Sequence, residues 1–143
     1  MFLFFKLPSA WLCGVRVRTI DSNNCKVCVK HRWINQNPFK SMYFAVQNMA
    51  AELSTGVLVM QQIQKINKPI SMLVIETESK YHKKATGIIS FECIDGEKAE
   101  NAIQKSIHEN TAQVINMAVR AFNENDDLVS EFNFLWSVKP KNQ

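Results

Sequence analysis

The 143 residues are 46% hydrophobic and 21% charged with four glycines and four prolines, a balance that excludes a disordered or fibrous chain and fits one domain over residues 1–143. The net charge of +4 comes from scattered lysines and arginines; with no basic run interleaved with aromatics, nucleic acid is not an expected partner. Four cysteines, Cys13, Cys25, Cys28 and Cys93, do not form a disulfide framework, and with six methionines they point to a reducing interior, so the cytoplasm is the expected compartment.

Met1-Phe2-Leu3-Phe4-Phe5 is apolar but interrupted by Lys6 and Pro8. It is too short for a signal-peptide core or a membrane span, and is expected to pack on the fold. Pro8 to Leu12 reads as a short helical or turn segment. Gly14 to Ile20 alternates apolar and basic residues, Asp21-Ser22-Asn23-Asn24 is a turn, and Cys25 to His31 alternates back toward Trp33, so the two runs form a hairpin. Cys25 and Cys28 have the spacing of half a metal site. On a strand, residues three apart point to opposite faces, and no second such pair follows, so no metal is expected.

Ile34 to Phe39 is a loop rich in Asn and Pro, leading into a stretch that runs from Asn37 as far as Gln64 and ends near Asn67-Lys68-Pro69. Met42, Val46, Met49, Ala50, Leu53, Val57, Met60 and Ile63 recur at three and four, and the opposite side is small and apolar too. This is a long, nearly buried helix. Glu52 in its middle is costly to bury without a partner or a task.

Ile70 to Tyr81 starts as an apolar run and becomes alternating, as in a central strand with one exposed end, and Ala85 to Ile94 is the next strand. Lys80, Lys83 and Lys84 lie in or beside their connection. Glu97 to Asn110 has the composition of a short surface helix outside the sheet. Thr111 to Asn123 and Leu128 to Val138 form a second hairpin about the turn Asn123-Glu124-Asn125-Asp126-Asp127, and Phe132, Phe134 and Trp136 give the last strand one aromatic face. The predicted order is β-β-α-β-β-(α)-β-β, an α+β fold.

Two strands, a long buried helix and four further strands make a pattern that resembles the hotdog fold, a six-stranded antiparallel sheet wrapped around a central helix, here with its core at about residues 8–139. The resemblance is sharpest to acyl-CoA thioesterases of the phenylacetate-pathway type and to a related uncharacterised hotdog family. In that pattern an Asn opens the loop, Gly follows three residues later, His-Gly-Gly stands at six to eight, and an acid lies fifteen on. Asn37 and Glu52 match the first and last; Lys40 replaces the Gly, Tyr43 the His, and Phe44-Ala45 the Gly-Gly. Tyr81-His82-Lys83-Lys84-Ala85-Thr86-Gly87 is similar to the family's link between two core strands.

The resemblance implies a thioester hydrolase that pairs as a homodimer or a tetramer, with its site at the dimer interface. Glu52 would be general base or nucleophile, Asn37 its positioning partner, and the backbone N–H groups of Phe44 and Ala45 the oxyanion donors. The substrate is an acyl-CoA or acyl-carrier thioester, with coenzyme A as part of the substrate and no separate cofactor. Tyr43 and Met49 would contact it, and Lys83 and Lys84 would meet the phosphates. Each residue has a plainer reading: Glu52 as a solvated or salt-bridged acid, Asn37 as a turn residue, the methionines as core, the lysines as a solvated edge. A hotdog protein that binds an apolar ligand without hydrolysing anything is the alternative.

Overall fold

A computed structural model of the chain describes residues 2–141. Met1, part of the predicted N-terminal segment, and Asn142 and Gln143 at the end of the predicted domain lie outside the described residues.

Two one-turn helices, α1 (Phe2–Lys6) and α2 (Pro8–Leu12), lead into the hairpin of β1 (Arg16–Ile20) and β2 (Cys25–Lys30). Its turn is built by Asp21, whose carboxylate accepts the amides of Asn23 and Asn24 at 2.8 and 2.7 Å. Along β2, Cys25 is buried and Cys28 is not, as opposite faces of one strand require. After a 3-10 turn (Trp33–Asn35) come α3 (Phe44–Lys65), β3 (Ile70–Tyr81), β4 (Ile88–Cys93), α4 (Gly96–Glu109), β5 (Gln113–Phe122) and β6 (Leu128–Pro140). All six strands form one antiparallel sheet, ordered β1-β2-β4-β5-β6-β3. This is the hotdog arrangement that the strand and helix order predicts.

The sheet wraps α3 because its inward residues and those of α3 are complementary in size. On β6, Ser130, Phe132, Phe134 and Trp136 fall at period two and are all buried. Trp136 meets the small-residue side of α3, where Ala50, Ala51, Ser54, Thr55 and Gly56 are buried, and Ser130 bonds Gln47 of the same helix. Each of the large rings taken from water contributes about 2–3 kcal/mol. The predicted apolar stripe carries only part of the burial: Val46, Ala50 and Leu53 are buried, whereas Met49, Val57 and Met60 are half-buried. Opposite Trp136 the small residues Thr55 and Gly56 let helix and sheet approach closely.

Two expectations shift. Helix α3 begins at Phe44, several residues after the Asn37 stretch that the apolar pattern includes. The intervening residues fold as a turn, in which Lys40 has φ 60° and Gln36 bridges Met42. Their amides are claimed elsewhere, Met42 N–H by the Ala85 carbonyl and Tyr43 N–H by that of Asn35, both at 2.8 Å. Helix α4 is more deeply tied in than a surface helix outside the sheet: Ala99 and Ile103 are fully buried and it packs on α3, β5 and β6. Its first residue must be Gly96, since a Cβ there would stand 2.3 Å from the Ser22 carbonyl oxygen. Among the described residues no helix is long and apolar enough to cross a membrane.

Candidate active site

A groove of about 580 Å³ opens where α3 begins, walled by Asn37, Tyr43, Phe44, Tyr81, Lys83 and Lys84 among others. Two segments build it: the turn before α3 and the link from β3 to β4. They are joined by the Met42 to Ala85 backbone hydrogen bond. The aromatic wall is continuous. Phe44 stands edge-to-face against both Tyr43 and Tyr81, with ring centroids 5.0 and 6.2 Å away, and Tyr81 stands likewise against buried Phe132 at 5.9 Å.

Asn37 shapes one end of the groove from within its own turn. Its Oδ1 accepts the amides of Phe39 at 2.9 Å and Ser41 at 3.2 Å, while its Nδ2 donates to Ser41 Oγ at 3.0 Å. Lys83 holds Asp127 at 2.8 Å across the rim. That contact and Asn123 keep the Asp127 carboxyl below its ordinary range. Lys84 is exposed on the wall. Met49 packs against the core and is not among the groove residues.

Helix α3 has no side-chain cap at Tyr43, and among the described residues the amides of Phe44 and Ala45 donate to nothing. Two of the donors that every helix start leaves over are thus free, and Phe44 lines the groove while Ala45 does not. With the partial positive charge of the helix terminus, they suit an oxygen on which negative charge builds.

Glu52 lies eight residues further on, about 12 Å along the helix axis. Phe44, Asn48, Glu52 and Gly56 form one i, i+4 ridge. This ridge faces β3: Asn48 accepts the Ser79 hydroxyl at 3.1 Å and donates to the Tyr81 hydroxyl. Beyond it, a Cβ on Gly56 would lie 3.3 Å from the Trp136 ring and 3.5 Å from Glu52 Oε1. The Glu52 carboxylate therefore sits near an indole, half-buried, and burial raises its pKa above the ordinary 4.5. Among the described residues it has no ion pair, and no hydrogen bond joins it to Asn37. The fold thus brings Asn37, Tyr43, Phe44, Lys83 and Lys84 together, with Ala45 just behind the groove wall, and leaves Glu52 apart. Asn48 and Tyr81 complete the stretch between. For Asn48 the signal in the sequence is its place one turn before Glu52 on the same ridge.

The chain is similar to a crystal structure of a Pseudomonas aeruginosa protein of unknown function described as a probable thioesterase, with a TM-score of 0.83 and 17% identity over 98% of this chain and 92% of that one. A protein of unknown function from Chlorobaculum tepidum gives 0.84 and 17% over 98% and 91%. A thioesterase from Haemophilus influenzae gives 0.67 and 10% over 92% and 82%. At these identities the likeness establishes the fold. No curated protein matches the chain. Residues 1–138 match the family described as Domain of unknown function (DUF4442), and the chain belongs to that family.

Proposed function

We propose that the protein hydrolyses acyl thioesters, with the carbonyl held at the start of α3 and Glu52 as the base. The observation that carries this reading is the free amide of Phe44 at an aromatic groove, with that of Ala45 next to it at the same helix start, on the same helix as a partly desolvated carboxylate that has no ion pair among the described residues. The likeness in fold to proteins described as thioesterases supports it. In the reaction Glu52 takes a proton from water as the oxygen attacks the thioester carbon. The oxyanion is held by the two amides, and its collapse expels the thiolate, which recovers the proton, leaving an acid and a thiol. Burial favours this role, since a carboxylate with a raised pKa is a stronger base near neutral pH.

The rise of about 12 Å along α3 from Phe44 to Glu52 bears on assembly. A carbonyl held by one protomer's Phe44 is out of reach of its own Glu52, so the site needs a second copy. The Glu52 ridge faces β3, an edge strand of the sheet. Leu73 and Ile75 on it are exposed, an apolar edge fit for pairing with the same strand of another copy. In such a homodimer Asn37 and Tyr43 frame the carbonyl, and Lys84, with Lys83 beside it, meets the phosphates of an acyl-CoA.

One observation favours the non-hydrolytic reading. The Phe44 ring, wedged between Tyr43 and Tyr81, stands directly beside the amides that the oxyanion would need. A panel of acyl-CoA thioesters assayed for free thiol separates the two. Turnover that disappears in Glu52→Gln supports hydrolysis; saturable binding without turnover of any member supports a binding protein.

A further inference from the structure

At the opposite end of the β1–β2 hairpin from its turn, four cations surround a second concavity of about 370 Å³: Arg16, Arg18, Lys30 and Arg32. Among the described residues none of them has an ion pair. Four like charges left unpaired around one hollow call for an anionic partner.

Beside them lies an apolar surface of a particular kind. Helices α1 and α2, with Leu7 between them, expose Phe2, Phe4, Phe5, Leu7 and Leu12, with Phe5 at 68%. The apolar and basic parts are one continuous surface. Phe4 stacks edge-to-face on Phe5 at 5.1 Å and on Trp11 at 4.9 Å, and the Arg16 guanidinium lies 4.7 Å over the Trp11 ring. Next to Arg32 comes Trp33, 82% exposed. Asn35 Nδ2 ties that turn to both neighbours, donating to the Cys13 and Lys30 carbonyls at 2.9 Å each.

We infer that this surface docks on an anionic lipid bilayer, with Phe5, Leu12 and Trp33 entering the headgroup boundary and Arg16, Arg18, Lys30 and Arg32 meeting lipid phosphates. Protruding Phe, Leu and Trp beside a cationic cluster is the composition of an interfacial anchor. A second copy of the chain is the poorer occupant, because a two-fold contact through this face sets four cations against four. The inference is independent of the thioesterase reading, and it places the groove's protein at a surface where long acyl chains reside.

The test is co-sedimentation of the full chain with vesicles of phosphatidylcholine alone and with about one part in three phosphatidylglycerol. Capture by the anionic vesicles only, reversed by high salt, is expected. Arg18→Glu combined with Arg32→Glu should weaken it at least about thirtyfold, and Phe5→Ser about tenfold. These side chains are exposed, so melting temperatures should not move. No capture by anionic vesicles overturns the inference, as does equal capture by both compositions that charge reversal leaves intact. A self-associated species that the charge reversals abolish, with no vesicle capture, assigns the face to a second copy and overturns it too.

Discussion

Trp136 Nε1 donates a 2.8 Å hydrogen bond to Thr55 Oγ1, and that hydroxyl in turn donates to the Glu52 carbonyl at 2.8 Å. The last strand is thereby locked to the middle of the central helix, beside Glu52. Thr55 and Trp136 are both buried, so neither group has water to fall back on. The bond also sets how close the indole comes to Gly56, and so how dry the Glu52 carboxylate is.

Thr55→Val keeps the shape and removes the acceptor. The indole N–H is left unpaired in the core, which costs about 1–3 kcal/mol and lowers the melting temperature by several degrees. Trp136→Phe loses the donor together with some packing. Once it is gone, Thr55→Val should cost much less, so the double variant is more stable than the two single losses add up to. Additive losses would show that the bond contributes nothing of its own.

Glu52→Gln should lower thioester turnover at least about a hundredfold and make the fold more stable at neutral pH. The sign follows from proton binding. Burial raises the folded pKa above 4.5, so between that value and the folded pKa the native state holds the proton more tightly than the unfolded chain. Stability therefore falls as pH rises through this window and stays lower above it. Glutamine escapes the penalty. Denaturant titrations of both proteins should converge at acid pH and separate above it; wild type equal to the variant at every pH would contradict the desolvation of Glu52.

The strands were legible because burial on one face imposes period two, and Phe132, Phe134 and Trp136 display it without interruption. Helix α3 was legible for the same kind of reason, as an apolar pattern too long for a strand. Its start was not. The residues from Asn37 to Tyr43 are held by bonds to Asn35 and Ala85, the second reaching across more than forty positions, and no local propensity encodes them. The candidate site shows a related limit: fifteen residues from Asn37 to Glu52 is a spacing in sequence, but the turn absorbs Asn37's side chain and α3 carries Glu52 two turns away. What the spacing records is a turn before the helix and a position in the helix's middle; a dimer that shares its site would bring the two together across copies.

Edge strand β3 should hold that partner. Leu73 is 65% exposed and Ile75 50%, and Ile75 is the extra residue where the pairing with β6 slips between Val74 and Glu76. Leu73→Asp with Ile75→Asp puts like charges face to face in a two-fold pairing while leaving the inward Met72 and Val74 untouched. Analytical ultracentrifugation should find wild type dimeric and the variant monomeric, with turnover lost alongside. A fully active monomer would refute the shared site.

The sharing itself can be tested by complementation. Phe44→Pro deletes the first free amide of α3 at the one helical position where proline is well tolerated. The preceding Tyr43, at φ −61° and ψ 137°, already has the extended conformation that proline imposes on its neighbour. Phe44→Pro alone should lose most thioester turnover, as Glu52→Gln does. Unfolded and refolded together in equal amounts, the two inactive proteins give mixed dimers, in which one site joins an intact Glu52 from one protomer to an intact Phe44 amide from the other. About half the dimers are mixed and each has one working site, so turnover should recover to about a quarter of wild type. If both groups acted within one protomer, every site in the mixture would lack one of them and nothing would return.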